Sequence, residues 1–90
     1  MIEVKFSNAF AEQIRGNMIF SVNAESIGGL ISILEQKVPG ISKRLLDENG
    51  SLNKFIIIFK NKKDIRFDGG INTELKSGDK ITILQALSGG

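Results

Sequence analysis

Only one long segment of this chain has helical spacing. Ile27, Leu30, Ile31, Leu34 and Val38 recur three and four positions apart, which gathers them on one face of an α-helix. Ser26 precedes the run as a good N-cap, because its hydroxyl can accept from an orphan amide of the first turn. Gly28 and Gly29 cost the first turn about 1 kcal/mol each against alanine, and they are read as places where the helix approaches a sheet closely. Pro39 drives Val38 out of helical conformation and Gly40 lies just past the end. The rest of the chain reads as strands and turns, apart from a short helical turn expected at Ile41-Ser42-Lys43-Arg44-Leu45-Leu46. One apolar helix face and several strands have one economical arrangement, the helix laid across a sheet.

The strands come from alternation and from β-branched runs. Ile2-Glu3-Val4-Lys5-Phe6 alternates apolar and charged residues, so Ile2, Val4 and Phe6 face a core. A long connection over 7–17, ended by Gly16-Asn17, leads to a second strand at Met18-Ile19-Phe20-Ser21-Val22, read as the antiparallel partner of the first. After the helix, the polar loop 47–51 carries the turn signal Asn49-Gly50. Phe55-Ile56-Ile57-Ile58-Phe59 is a strand apolar on both faces: one meets the helix, the other is covered by loops or exposed to a partner. A polar turn, Lys60-Asn61-Lys62-Lys63, leads to a short returning strand at Asp64-Ile65-Arg66-Phe67. Gly69-Gly70 and Lys76-Ser77-Gly78-Asp79 are turns, with Asp79 bonding its own backbone. Lys80-Ile81-Thr82-Ile83-Leu84 is the last strand. Parallel neighbours need a crossover, and the helix supplies one, giving an α+β roll with a mixed sheet of about five strands packed on one main helix.

Composition removes several kinds of chemistry. Ninety residues make one small domain with one core. There is no cysteine, hence no disulfide, thiol nucleophile or thiolate metal site. There is no histidine, so acid–base work near neutral pH would need a strongly shifted carboxylate or lysine. A self-contained active site is not expected. The apolar run at 55–59 is too short to cross a bilayer, and Met1-Ile2-Glu3-Val4-Lys5 lacks a signal-peptide layout, so the expectation is a cytoplasmic protein without a membrane role. A net charge of +2 gives no reason to expect nucleic-acid binding.

The remaining feature is the ending. Residues 1–85 are expected to form the domain and 86–90 a pliable tail, Ala86-Leu87-Ser88-Gly89-Gly90. Glycine has no side chain and a wide conformational range. Five extended residues reach roughly 17 Å, enough to thread a narrow channel and present the Gly90 carboxylate in another protein's active site. The competing reading of Gly89-Gly90 is an arbitrary frayed end.

The element order and the Ser88-Gly89-Gly90 ending resemble the β-grasp (ubiquitin-like) fold and, within it, the MoaD/ThiS sulfur-carrier family. The likeness covers essentially the whole chain and is sharpest from Lys54 onward. Lys54-Phe55, Lys60-Asn61, Asp64-Ile65-Arg66-Phe67 and Gly69-Gly70-Ile71-Asn72-Thr73 are similar to MoaD-like carriers of cysteine biosynthesis. Leu75-Lys76-Ser77-Gly78-Asp79-Lys80-Ile81-Thr82-Ile83-Leu84 follows the family pattern of a leucine, Gly-Asp, and alternating apolar residues. The chain departs from the pattern at Leu84-Gln85-Ala86, where relatives usually carry a proline, and at Lys60, where an apolar residue is more usual.

The resemblance implies a carrier rather than an enzyme, or the non-catalytic small subunit of a synthase. An E1-like adenylating enzyme of the MoeB/ThiF type would use ATP to activate the Gly90 carboxylate. Conversion to a thiocarboxylate would follow, and a sulfur-accepting synthase subunit would take the sulfur, in molybdenum-cofactor or cysteine biosynthesis. No cofactor or metal is expected on the carrier itself. The activation has a physical motive: a C-terminal carboxyl group has a pKa of about 3.3–3.7, and the resulting anion resists nucleophiles until it becomes an acyl-adenylate. Ile58, Phe59 and Leu84 are the expected partner-contact patch, unless they are simply core. Lys60, Lys62, Lys63 and Arg66 are read as protection of a strand edge, with acidic partners or RNA as the alternative. Two further functions stay open: a protein modifier conjugated through Gly90 to lysines, and a passive binding module, since fold does not dictate function.

Overall fold

In the computed structural model, which describes residues 1–86, β1 (Ile2–Phe6) and β5 (Lys80–Gln85) run parallel, with Val4 opposite Ile81 and Phe6 opposite Ile83. The crossover this demands contains α1 (Ile27–Lys37). β2 (Ile19–Val22) pairs antiparallel with β1, β3 (Ile56–Lys60) with β5, and β4 (Lys63–Asp64) with β3. The strand order is β2-β1-β5-β3-β4, a mixed five-stranded sheet on one main helix. This is the β-grasp roll expected from the element order.

Period two in the strands and period 3.6 in the helix meet in one core. Ile2, Val4, Phe6, Ile56, Ile58, Ile81 and Ile83 from the sheet join Ile27, Leu30, Ile31 and Leu34 from α1, all buried. The Ser26 hydroxyl accepts from the Gly29 amide at 3.1 Å and starts the helix as expected. The helix ends at Lys37, before Pro39. Gly40, at φ +94°, starts α2 (Ile41–Leu45). Here Glu35 acts unforeseen: its two carboxylate oxygens accept from the Gly40 and Ser42 amides at 2.8 Å each, satisfying the start of α2 from the preceding helix.

Two local expectations are corrected and a third is extended. Gly28 does not face the sheet: a β-carbon there would lie 3.4 Å from the Ile71 carbonyl, in a 3-10 turn (Gly70–Asn72) that runs against the start of α1. The segment expected as a strand at Asp64-Ile65-Arg66-Phe67 stops pairing after Asp64. The Asp64 carboxylate accepts from the Arg66 amide at 2.9 Å and turns the chain into a 3-10 helix (Ile65–Phe67), with Ile65 buried and Phe67 82% exposed. The long connection over 7–17 also contributes to the core. A 3-10 turn (Asn8–Phe10) and the following residues bury Phe10 and Ile14, with the Phe10 ring 5.2 Å from that of Phe6.

Candidate functional site

β5 is the rail that leads to the end of the chain, and a dense turn fixes its start. One Asp79 carboxylate oxygen accepts from the Lys76 amide at 2.8 Å, the other from the Asn61 side chain at 3.2 Å. Asn61, at φ +60° in the β3–β4 turn, also accepts from the Lys80 amide at 3.1 Å. The Lys76 amide, the Asn61 side chain and the nearby Lys60 and Lys76 charges hold the Asp79 carboxyl below its ordinary value. Asp79 is therefore a turn former, as expected, and an ionised one. Gly78, at φ +96°, donates its amide to the Met1 carbonyl at 3.1 Å, which ties this turn to the chain's first residue.

The face of the sheet turned away from α1 carries the candidate docking surface. Ile57 lies opposite Leu84 and Phe59 opposite Thr82, all four half-buried. Exposed Glu3, Lys5 and Lys80 share this face and give it a charged rim. The expected patch of Ile58, Phe59 and Leu84 is corrected at one member: Ile58 is fully buried, because strand alternation turns it toward the helix. Ile57, half-buried opposite Leu84, shares the outer face with Phe59 instead. The alternation with Phe59 would have identified it, but a run apolar on both faces hid which set pointed inward.

At the far end of β5 stands a group that sequence reasoning missed. Arg44 of α2 reaches across to Gln85, the last residue of the strand. Its Nε and Nη2 donate to Gln85 Oε1 at 3.1 and 2.7 Å. Nη1 donates to Gln13 Oε1 at 3.1 Å, Nη2 also donates to the Ala9 carbonyl at 2.7 Å, and the guanidinium lies 4.0 Å from the centre of the Phe10 ring. No sequence signal pointed to Arg44, whose partners lie 31, 35 and 41 positions away.

Ala86 follows Gln85 and is the last described residue; the other expected tail residues, Leu87, Ser88, Gly89 and Gly90, lie outside the described residues. The described part offers a fixed starting point for the tail, an apolar face beside it, and no catalytic constellation of its own. Among the described residues no cluster of acidic side chains is placed to hold a metal ion, and no helix is long and apolar enough to cross a membrane. Lys60 and Lys63 both approach Asp68, at 3.7 and 3.4 Å, so part of the basic cluster is paired within the fold.

Residues 4–90 match the ThiS family. The sulfur carrier protein CysO of Mycobacterium tuberculosis is 42% identical over 77 residues, 83% of each chain. A chain in the crystal structure of the BexX/CysO complex of Amycolatopsis orientalis superposes with a TM-score of 0.91 at 31% identity, over 100% of both chains. The crystal structure of M. tuberculosis CysO gives a TM-score of 0.90 at 35% identity, over 97% of this chain and 100% of that one.

Proposed function

Because this chain belongs to the ThiS family and is a sulfur carrier of the CysO-like kind, we propose that its working group is the Gly90 carboxylate. An E1-like enzyme of the MoeB/ThiF type binds the carrier and ATP. A Gly90 carboxylate oxygen attacks the α-phosphorus, and pyrophosphate leaves. The acyl-adenylate has lost the negative charge that repelled nucleophiles and has gained AMP as a leaving group. A sulfide donor then attacks the carbonyl carbon, the bond to AMP breaks, and a thiocarboxylate remains. Its sulfur attacks an electrophilic carbon of an acceptor on a synthase partner and displaces a leaving group there, and water then cleaves the acyl carbon–sulfur bond, which restores the carboxylate and leaves the sulfur on the acceptor as a thiol.

The observation that carries this reading is a family match that extends through Gly90, five residues beyond a strand whose last residue, Gln85, is held by Arg44. Residues 86–90 serve as the arm, and Ala86, Leu87, Ser88 and Gly89 line the activating enzyme's channel. Ile57, Phe59 and Leu84 form the face on which that enzyme docks. Likeness to CysO favours cysteine biosynthesis over molybdopterin synthesis as the destination. The carrier itself holds no cofactor.

The test is intact-mass spectrometry of the full chain incubated with its adenylating enzyme, Mg-ATP and a sulfide source. Exchange of one oxygen for sulfur at Gly90 supports the reading. A protein modifier would instead give conjugates to lysines of other proteins, lost when Gly90 is deleted. A passive module would keep its function without Gly89 and Gly90.

A further inference from the structure

β5 leaves the sheet with one side held by backbone and the other by a side chain. On the β3 side, pairing continues to the end: Gln85 lies opposite Ile56, and the Ala86 amide donates to the Phe55 carbonyl at 2.8 Å. On the β1 side, pairing stops at Ile83, whose carbonyl accepts from the Ser7 amide at 3.0 Å before the chain turns into Asn8–Phe10. Past Ile83 no strand lies on that side among the described residues. The Gln85 side chain fills the role, tied by two hydrogen bonds to Arg44.

Arg44 is itself held in place. Two further N–H groups donate to Gln13 Oε1 and the Ala9 carbonyl, and the guanidinium lies over the ring of Phe10, which is fully buried. The fork thus links the strand's last residue to the buried part of the 7–17 connection. Planar, charge-assisted forks of this kind fix direction as well as distance, which a lysine would not. Proline is absent from Leu84-Gln85-Ala86, so no ring restricts the backbone there.

We propose that Arg44 is a positioning residue for the activation step: through Gln85 it sets the direction in which the chain leaves β5, and so where the terminal carboxyl group is delivered. The proposal rests on Gly90 being the activated group. A strand end held in its bound direction spends less conformational entropy on insertion into a partner. Loss of the strut should therefore weaken productive binding without slowing chemistry once the carboxylate has arrived.

Gln85→Ala is the primary variant, because Gln85 is exposed and its loss leaves the core intact. Two measurements on the full chain decide the matter. The order parameter of the Ala86 amide, read by NMR on the carrier alone, should fall from about 0.85 toward 0.6. In ATP–pyrophosphate exchange with the E1-like enzyme, KM for the carrier should rise about tenfold while kcat changes less than about twofold. Arg44→Lys should behave like Gln85→Ala, and Gln85→Glu, which keeps an acceptor oxygen for the guanidinium, should hold KM within about twofold of the wild type. An Ala86 amide as rigid in Gln85→Ala as in the wild type overturns the proposal. So does an unchanged KM when the wild type is adenylated normally. If the wild type supports no exchange, the proposed function fails, and with it the use assigned to Arg44; the NMR result separates that failure from a failure of the strut.

Discussion

The Arg66 guanidinium donates to the Ile56 carbonyl at 2.8 Å and to the Asn53 carbonyl at 3.1 Å. Among the described residues β4 pairs only with Phe59 and Lys60, and no other strand lies along the outer edge of β3. Arg66 closes that edge with a side chain, the protective role the basic cluster was expected to play. Arg66→Ala should cost about 1 kcal/mol in denaturant unfolding. It should also promote self-association at high concentration, detectable by light scattering. A variant as stable and as monomeric as the wild type would remove the edge role.

Ile58 and Phe59 are neighbours in sequence and opposites in position. Ile58→Ala should destabilise the fold by about 3 kcal/mol, because it empties a fully buried site. Phe59→Ala, at a half-buried position on the outer face, should change stability by less than about 1.5 kcal/mol and raise the carrier's KM for adenylation about tenfold. Equal stability losses at the two positions, with no change in KM for Phe59→Ala, would contradict the docking face.

The carboxyls of Asp79 and Glu35 share a pH signature. The Lys76 amide chiefly holds Asp79 below its usual 3.8, and the Gly40 and Ser42 amides chiefly hold Glu35 below its usual 4.5. Folded values below unfolded ones mean that both contributions are complete above those usual values and are lost as pH falls through the lowered ones. Unfolding free energy should therefore be flat near neutrality and decline below about pH 4.5. Glu35→Gln and Asp79→Asn should each lower stability at neutral pH and flatten that acid decline. An acid decline of unchanged steepness in both variants would contradict the assignment.

Ser26 offers a simpler check on the helix. Ser26→Ala removes the acceptor for the Gly29 amide and should cost about 1 kcal/mol by thermal or denaturant unfolding. No loss would mean that the bridge between Ser26 and Glu74 starts the helix without the hydroxyl.

Features whose cause lies within a few residues were legible in the sequence. The alternation of Ile2, Val4 and Phe6, the cap at Ser26, the stop at Pro39 and the Gly78-Asp79 turn all express local rules, and the structure follows them. Asp64-Ile65-Arg66-Phe67 misled because its alternation favours a strand, while the Asp64 carboxylate captures the Arg66 amide and turns the chain instead. Phe10 and Ile14 stand four apart and could have been read as one buried face of the 7–17 connection. Arg44 could not be found this way, since its contacts to Ala9, Gln13 and Gln85 exist only after the chain has folded.

In the proposed role, the folded body presents the Gly90 carboxyl group to a partner. The most direct measurement is intact mass and ATP–pyrophosphate exchange for the chain with one phenylalanine appended after Gly90, alongside the unmodified chain. The unmodified chain should be adenylated and gain sulfur, whereas the extended chain, equally folded by circular dichroism, should do neither. An extended chain that is adenylated and sulfurated while still carrying its phenylalanine would mean that Gly90 is not the activated group.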